Sequence, residues 1–140
     1  MPVSAQKLIR QIVGVVLLRD AAALLQHRDN TPTISAPGLW VFPGGHVENN
    51  ETPVEAAVRE FEEETCYKCE QLRPITRLML DDSELSFFWA NYDCRQRVEC
   101  REGQALEFIG RDKVELLPRP PYLIRLFDLA LAQRDLGLVP

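Results

Sequence analysis

Gly44-Gly45-His46-Val47-Glu48-Asn49-Asn50-Glu51-Thr52-Pro53-Val54-Glu55-Ala56-Ala57-Val58-Arg59-Glu60-Phe61-Glu62-Glu63-Glu64-Thr65-Cys66-Tyr67 contains a helix whose beginning is written into it. Thr52 can cap the first turn, Pro53 has the φ that turn needs, and Glu55 completes a Thr-x-x-Glu box. The pattern predicts a helix from about Pro53 to about Thr65. On a wheel of about 100° per residue counted from Val54, the residues Val54, Ala57, Val58, Phe61 and Thr65 fall within about 60° of zero. That stripe should face the core. Glu60, Glu63 and Glu64 fall near 240°, 180° and 280°, on an arc of their own about 100° wide.

Three carboxylates on one face repel one another at helical-neighbour spacing. The plain meaning of such a run is a solvated acidic surface, yet the helix carries no lysine to relieve it. A bound cation would turn the repulsion into attraction. The loop ahead of the helix favours that reading. Gly44-Gly45 lets backbone approach a ligand closely and aim a carbonyl at a metal. Glu51 stands just before the helix, and Arg59 lies beside Glu63 on the wheel, where a guanidinium can fix a carboxylate's orientation.

Outward from this segment, strands dominate. Leu8 to Leu18 is apolar and β-branched and reads as a buried strand; after a turn at Arg19-Asp20, Ala22 to Gln26 reads as a second. His27 to Gly38 reads as a loop, and Leu39 to Phe42 as a short strand broken by Pro43-Gly44-Gly45. Downstream, Leu72 to Leu80 and Leu85 to Tyr92 flank a turn at Asp81-Asp82-Ser83, and a shorter strand spans Ala105 to Ile109. Alternation should send Phe87 and Trp89 to one face and Phe88 to the other, and one of these faces could line a nucleoside pocket. Trp40 reads as core. Beyond Pro120-Pro121, Tyr122 to Gln133 places Leu123, Leu126, Phe127, Ala130 and Leu131 at helical spacing. The class is α+β: a mixed β-sheet with one central and one C-terminal helix packed on it, an α/β/α sandwich. No repeat or linker divides the chain, so residues 1–140 are expected to form one domain.

Composition narrows the function. The 140 residues are 46% hydrophobic and 26% charged, ordinary values for a globular protein. The net charge of −5, from 16 basic and 21 acidic side chains, argues against a nucleic-acid polymer as partner. It leaves room for a small phosphate-bearing molecule whose charge is met by a metal held on carboxylates. The longest apolar run, Ile12 to Leu18, is strand-sized, so no membrane span is expected. Lys7 and Arg10 flank no signal-like core, so the cytoplasm is the expected location. Cys66-x-x-Cys69 with Cys94 and Cys100 invites a zinc reading, but the second pair lacks the tight spacing of a knuckle, and reduced, partly buried thiols are favoured. His27 and His46 read as loop histidines without a catalytic role.

At residues 45–67 the sequence resembles the Nudix family, in its MutT-like branch. The family's box is Gly-x5-Glu-x7-Arg-Glu-U-x-Glu-Glu-x-Gly-U, with U a bulky apolar residue, and Gly45, Glu51, Arg59, Glu60, Phe61, Glu63, Glu64 and Tyr67 fill it. Cys66 stands where the family has glycine. A β-carbon in the left-handed turn implied there costs about 1 kcal/mol but removes no ligand. The resemblance implies an α/β/α sandwich with the box as a loop–helix–loop. It also implies a Mg2+-dependent pyrophosphohydrolase, with Mn2+ able to stand in, acting on nucleoside diphosphate derivatives. Glu60, Glu63 and Glu64 would be the metal ligands with the Gly44 carbonyl, while Arg59 and Glu51 would position them beside Gly45. The general base is open among Glu60, Glu102 and Glu107, since family members differ. Glu107, next to Phe108 on the strand expected over Ala105 to Ile109, could face the helix.

Gly-Leu-Trp-x-Phe-Pro-Gly-Gly at Gly38 to Gly45 looks like the branch that converts nucleoside triphosphates to monophosphates. The loop Arg28 to Pro32 could select a sugar instead, which makes nucleotide-sugar or ADP-ribose-type pyrophosphatases the alternative. A non-catalytic nucleotide sensor is less favoured, because such domains lose box glutamates and this chain keeps them. A homodimer is left open.

Overall fold

A computed structural model describes residues 9–137. Its elements run β1 (Arg10–Arg19), β2 (Ala22–His27), β3 (Trp40–Val41), β4 (Gly44–His46), α1 (Pro53–Thr65), β5 (Arg73–Leu80), β6 (Ser83–Asn91), β7 (Ala105–Gly110), a 3-10 turn at Val114–Leu116 and α2 (Leu123–Leu136). The main sheet order is β3-β2-β1-β6-β5, with β4 added to β1 and β7 to β2. β1 and β6 are parallel and the other pairs antiparallel, so the sheet is mixed.

β1 is apolar on both faces because both faces are covered. Val13, Val15 and Leu17 pack with Ala56, Ala57 and Phe61 of α1, whereas Val16 and Leu18 pack with Leu123, Leu126 and Phe127 of α2. Period-2 alternation thus feeds two cores from one strand, and the α/β/α layering follows. The same alternation sends Phe87 and Trp89 to the α2 side and Phe88 to the α1 side.

The topology leaves an opening. β1 pairs with β2 only at the hairpin end, Leu18 with Ala23 and Arg19 with Ala22; beyond it β3 takes that edge of β2, Gln26 with Val41 and His27 with Trp40, while β7 lines the other edge throughout. The other end of β1 pairs with β4, through Ile12–His46, Val13–Gly45 and Gly14–Gly44. Where β2 peels away from β1, the sheet splays. The candidate site lies in that gap.

Several boundaries differ from the sequence expectations. β1 begins at Arg10, and Leu8 lies outside the described residues. The strand expected over Leu39 to Phe42 is only Trp40–Val41, and the glycines do not break the sheet. The chain resumes pairing as β4, since a glycine can lie flush against β1: a Cβ on Gly44 would sit 1.9 Å from the Val13 carbonyl oxygen. β6 starts at Ser83, so the turn is only Asp81-Asp82.

The capping box is formed as expected. Glu55 N–H donates to Thr52 Oγ1 at 3.2 Å, and Thr52 N–H donates to Glu55 Oε1 at 2.9 Å. Cys66 caps the other end in the left-handed region, φ 64°, its N–H donating to the Glu62 carbonyl. Glycine adopts that conformation without a β-carbon penalty, so Cys66→Gly should raise stability by about 1 kcal/mol, or about 3 °C in Tm. Thermal unfolding of the two proteins checks this.

The buried face of α1 is a correction. Val54, expected in the core stripe, is 40% exposed, while Ala56 and Glu64 are buried. The inward arc is rotated about 70° toward the glutamates relative to the apolar stripe. A wheel built on hydrophobicity centres on the greasiest residues, whereas the fold turns the helix until a carboxylate points inside.

Candidate active site

The rotation of α1 aims its acidic arc at the glycine strand. Glu64, only 6% exposed, accepts from the Gly44 N–H at 3.1 Å and from Gln26 Nε2 at 3.4 Å, both on Oε2. Glu60 lies over Gly45, where a Cβ would meet its carboxyl carbon at 2.3 Å. Both glycines are therefore required for close approach, one to β1 and one to a box carboxylate. Glu63 points outward, its side chain 58% exposed.

Arg59 organises this arc. Its Nε and Nη2 donate to the two oxygens of Glu51 at 2.7 and 2.9 Å, a bidentate pair. Nη1 reaches Glu60 at 3.0 Å and Glu63 at 3.3 Å, and Nη2 donates to the His46 carbonyl at 3.0 Å. The guanidinium is thus tied to the loop, the strand and the helix at once. His46 itself is exposed and contributes only its carbonyl.

The Arg59 hydrogen bond, helped by the Glu48 N–H, holds the Glu51 carboxyl down at about 2 against an ordinary 4.5. A depressed carboxylate stabilises the fold above its unfolded pKa and loses that contribution as pH falls through the folded one. Acid stability should therefore decline between about pH 4.5 and about pH 2 in part through Glu51. Glu51→Gln should flatten that limb in a series of melting curves.

The loop between β6 and β7 closes the site from the other side. Glu99 N–H donates to the Thr65 carbonyl at 2.8 Å and Arg101 N–H to the Glu64 carbonyl at 3.0 Å, satisfying carbonyls that the end of α1 leaves free. This clamp, followed by the left-handed Gly103 (φ 84°), brings Glu102 to the same cleft as Glu64. Burial first, then Glu102, pushes the Glu64 carboxyl well above the usual carboxylate range. Burial also raises Glu60, with Glu63 and Glu102 adding to the upward push, against the opposing pull of Arg59.

These groups line one cleft of about 460 Å³. Its acidic end holds Gly44, Gly45, Glu60, Glu64 and Glu102; its apolar end holds Phe42, Leu85, Phe87 and Tyr122. Among the described residues, Arg28 is the lone arginine or lysine on its wall. A hollow of about 540 Å³ lies elsewhere, beside Trp89, Gln133 and Arg134, and no box glutamate reaches it. Size does not mark the site; chemistry does.

Of the residues expected at the site, Glu60, Glu64, Gly44, Gly45 and Glu102 converge on the cleft, with Arg59 and Glu51 behind them. Glu107 does not. It pairs across from Leu25 on the exposed, α2-facing side of β7, while its neighbours Leu106 and Phe108 take the positions facing α1. Alternation excludes it, because a residue next to a helix-facing aromatic must face away. Of the aromatic strand, Phe87 lines the cleft, whereas the Trp89 indole N–H donates to Gln133 on the far side at 2.8 Å. Trp40 is half-buried and stacks on His27, ring centroids 4.6 Å apart. Gln26 was missed by the sequence reading. Its signal was present, a polar residue closing the apolar run of β2 and 1% exposed.

The donor set suits a hard dication: all-oxygen ligands, close enough to repel, at a glycine strand. Among the described residues no three such side chains enclose an ion-sized point as drawn, because Glu60 and Glu63 are engaged by Arg59. The raised Glu64 carboxyl supplies the fit. A buried carboxyl whose charged form is disfavoured is stabilised when a cation takes the proton's place.

Three comparisons agree with this geometry. A family model described as NUDIX domain matches residues 8–123. The 8-oxo-dGTP diphosphatase of Proteus vulgaris is 36% identical over 77 residues, covering 49% of this chain and 69% of that protein. The MutT NUDIX hydrolase of Burkholderia pseudomallei superposes with a TM-score of 0.73 at 24% identity, covering 86% of this chain and 96% of that one. The NUDIX domain of Shewanella oneidensis NrtR, solved with ADP ribose, gives 0.77 at 19% identity over 94% and 92% of the two chains. Two longer vertebrate relatives are matched over only 18% of their own length.

Proposed function

The chain belongs to the NUDIX family, as a MutT-like Nudix hydrolase whose domain match spans residues 8–123, and from that premise we propose that it converts a nucleoside triphosphate to the monophosphate and pyrophosphate with Mg2+ as cofactor. The observation that carries the reading is the cleft with an acidic end at Gly44-Gly45 and an aromatic end at Phe87 and Tyr122. A polyphosphate fits the first only through a cation, and a nucleobase fits the second by stacking.

Glu60 and Glu64 would hold the metal beside the Gly44 backbone, Mn2+ could substitute, and Glu63, which points outward, would have to turn in to join them. Bound there, the ion neutralises charge on phosphate oxygens and acidifies water. The protein does the remainder. Arg59, anchored by Glu51, keeps Glu60 and Glu63 aimed. Glu102 takes a proton from the attacking water while the water oxygen joins phosphorus. The P–O bond bridging the α and β phosphates breaks, and its electron pair leaves on the oxygen of the departing fragment, the monophosphate or the pyrophosphate that the water did not join. Arg28 meets phosphate or sugar from the cleft wall.

Because Arg28, Ser35 and Ala36 bring the loop after β2 to the cleft, a nucleotide sugar or ADP-ribose-type diphosphate is the second reading. Purified protein with Mg2+ and a panel of triphosphates, ADP-ribose and sugar nucleotides separates the two. Turnover of a triphosphate with release of pyrophosphate supports the first. Turnover confined to sugar nucleotides or ADP-ribose overturns it. No helix of the described residues is long and apolar enough to cross a membrane.

A further inference from the structure

Resting on the metal-site reading of Glu64, the geometry points to Gln26 as a positioning residue that sets which oxygen of Glu64 faces the ion. Gln26 is 1% exposed and sits three residues past the last β1–β2 pair, where β2 lies between β3 and β7, facing α1 across the splay. An amide in that position carries a desolvation cost that only a partner offsets, and the partner is a carboxylate. Its Nε2 donates to Glu64 Oε2 at 3.4 Å, and the Gly44 N–H donates to the same oxygen at 3.1 Å. Two donors from two strands converge on one oxygen. The other oxygen of Glu64 is left for the cation and for the Glu102 side of the cleft.

The Gln26 contact is long, so its task is aim more than strength. Gln26 is itself held in place: a Cβ on Gly103 would come within 3.1 Å of its Cγ. The turn that delivers Glu102 therefore packs on the residue that aims Glu64. An outer partner that orients a metal-ligating side chain is worth about 10- to 100-fold in metal affinity or rate. Gln26 falls in that class, acting through Glu64 and touching no substrate.

The test measures Mn2+ binding by electron paramagnetic resonance, together with kcat, KM and the metal-free Tm. It compares the full chain with Gln26→Met, Gln26→Glu and Glu64→Gln. Gln26→Met keeps length and loses the donor; Mn2+ affinity and kcat should each fall about tenfold, KM for the nucleotide should move less than about twofold, and the metal-free Tm should stay within about 2 °C. Gln26→Glu keeps shape but turns an acceptor toward Glu64, and should lose more. Wild-type Mn2+ affinity in both Gln26 variants, with loss in Glu64→Gln, overturns the role of Gln26 and leaves the metal site standing. Wild-type affinity in Glu64→Gln as well overturns the metal-site reading itself. A fall in Tm with an unchanged metal-induced stabilisation makes Gln26 merely structural and also overturns the inference.

Discussion

Glu64→Gln should lower kcat about a thousandfold while making the metal-free protein melt at a higher temperature. The first half follows from removing one carboxylate from the shell of a cation asked to supply several kcal/mol of charge stabilisation, since about 4 kcal/mol is a factor of about a thousand. The second half follows from burial. In the folded chain the Glu64 carboxyl is raised above its ordinary 4.5, by burial and by the neighbouring Glu102. As pH rises past 4.5 the unfolded chain gives up this proton while the folded one keeps it, so stability falls with pH until the raised value is passed. Glutamine does not ionise and escapes that loss. At neutral pH the variant should therefore be dead and sturdier by several degrees, the opposite pairing from a damaged core. Steady-state kinetics and a melting curve without metal read both halves.

Glu102→Gln should lower kcat about a hundredfold, the lower range for loss of a general base, whereas Glu107→Gln should stay within about twofold of wild type. The two carboxylates lie in one short segment, Glu102-Gly103-Gln104-Ala105-Leu106-Glu107, and composition gives no reason to prefer either. The clamp to the end of α1 and the left-handed Gly103 put Glu102 against Glu64. The pairing of β7 with β2 turns Glu107 to the other face. Equal losses in the two variants would contradict this assignment. Kinetics with a triphosphate substrate at saturating Mg2+ decide it.

What the sequence disclosed was what local chemistry controls. The capping box of Thr52 and Glu55 and the left-handed cap at Cys66 are properties of a few consecutive residues, and both formed where spacing placed them. The buried strand β1, the aromatic alternation of β6 and the core face of α2 follow from period alone. The contact of Arg59 with Glu63 was foreseen; its two-pronged bond to Glu51 was not.

What stayed hidden depended on contacts between distant segments. Hydrophobicity centred the inward face of α1 on Val54, but the helix is held by Glu64 reaching Gly44 and by carbonyls of its last turn bonding to the loop at Glu99 and Arg101. Gln26 looked like the polar end of a strand until the splay between β1 and β2 placed it opposite Glu64. The side of β7 that Glu107 occupies is set by register with β2, and a one-residue shift would have reversed it. Local pattern writes elements; register and splay write the site.

On the proposed function, the carboxylates of α1 gather at the glycine strand to hold a divalent ion on a polyphosphate. Crystals grown with Mn2+ and a non-hydrolysable nucleoside triphosphate analogue test it most directly through anomalous scattering. The peak should lie among Glu60, Glu64 and the backbone of Gly44, with phosphate oxygens beside it. A peak anywhere else in the molecule, or none while the analogue is bound, would contradict it.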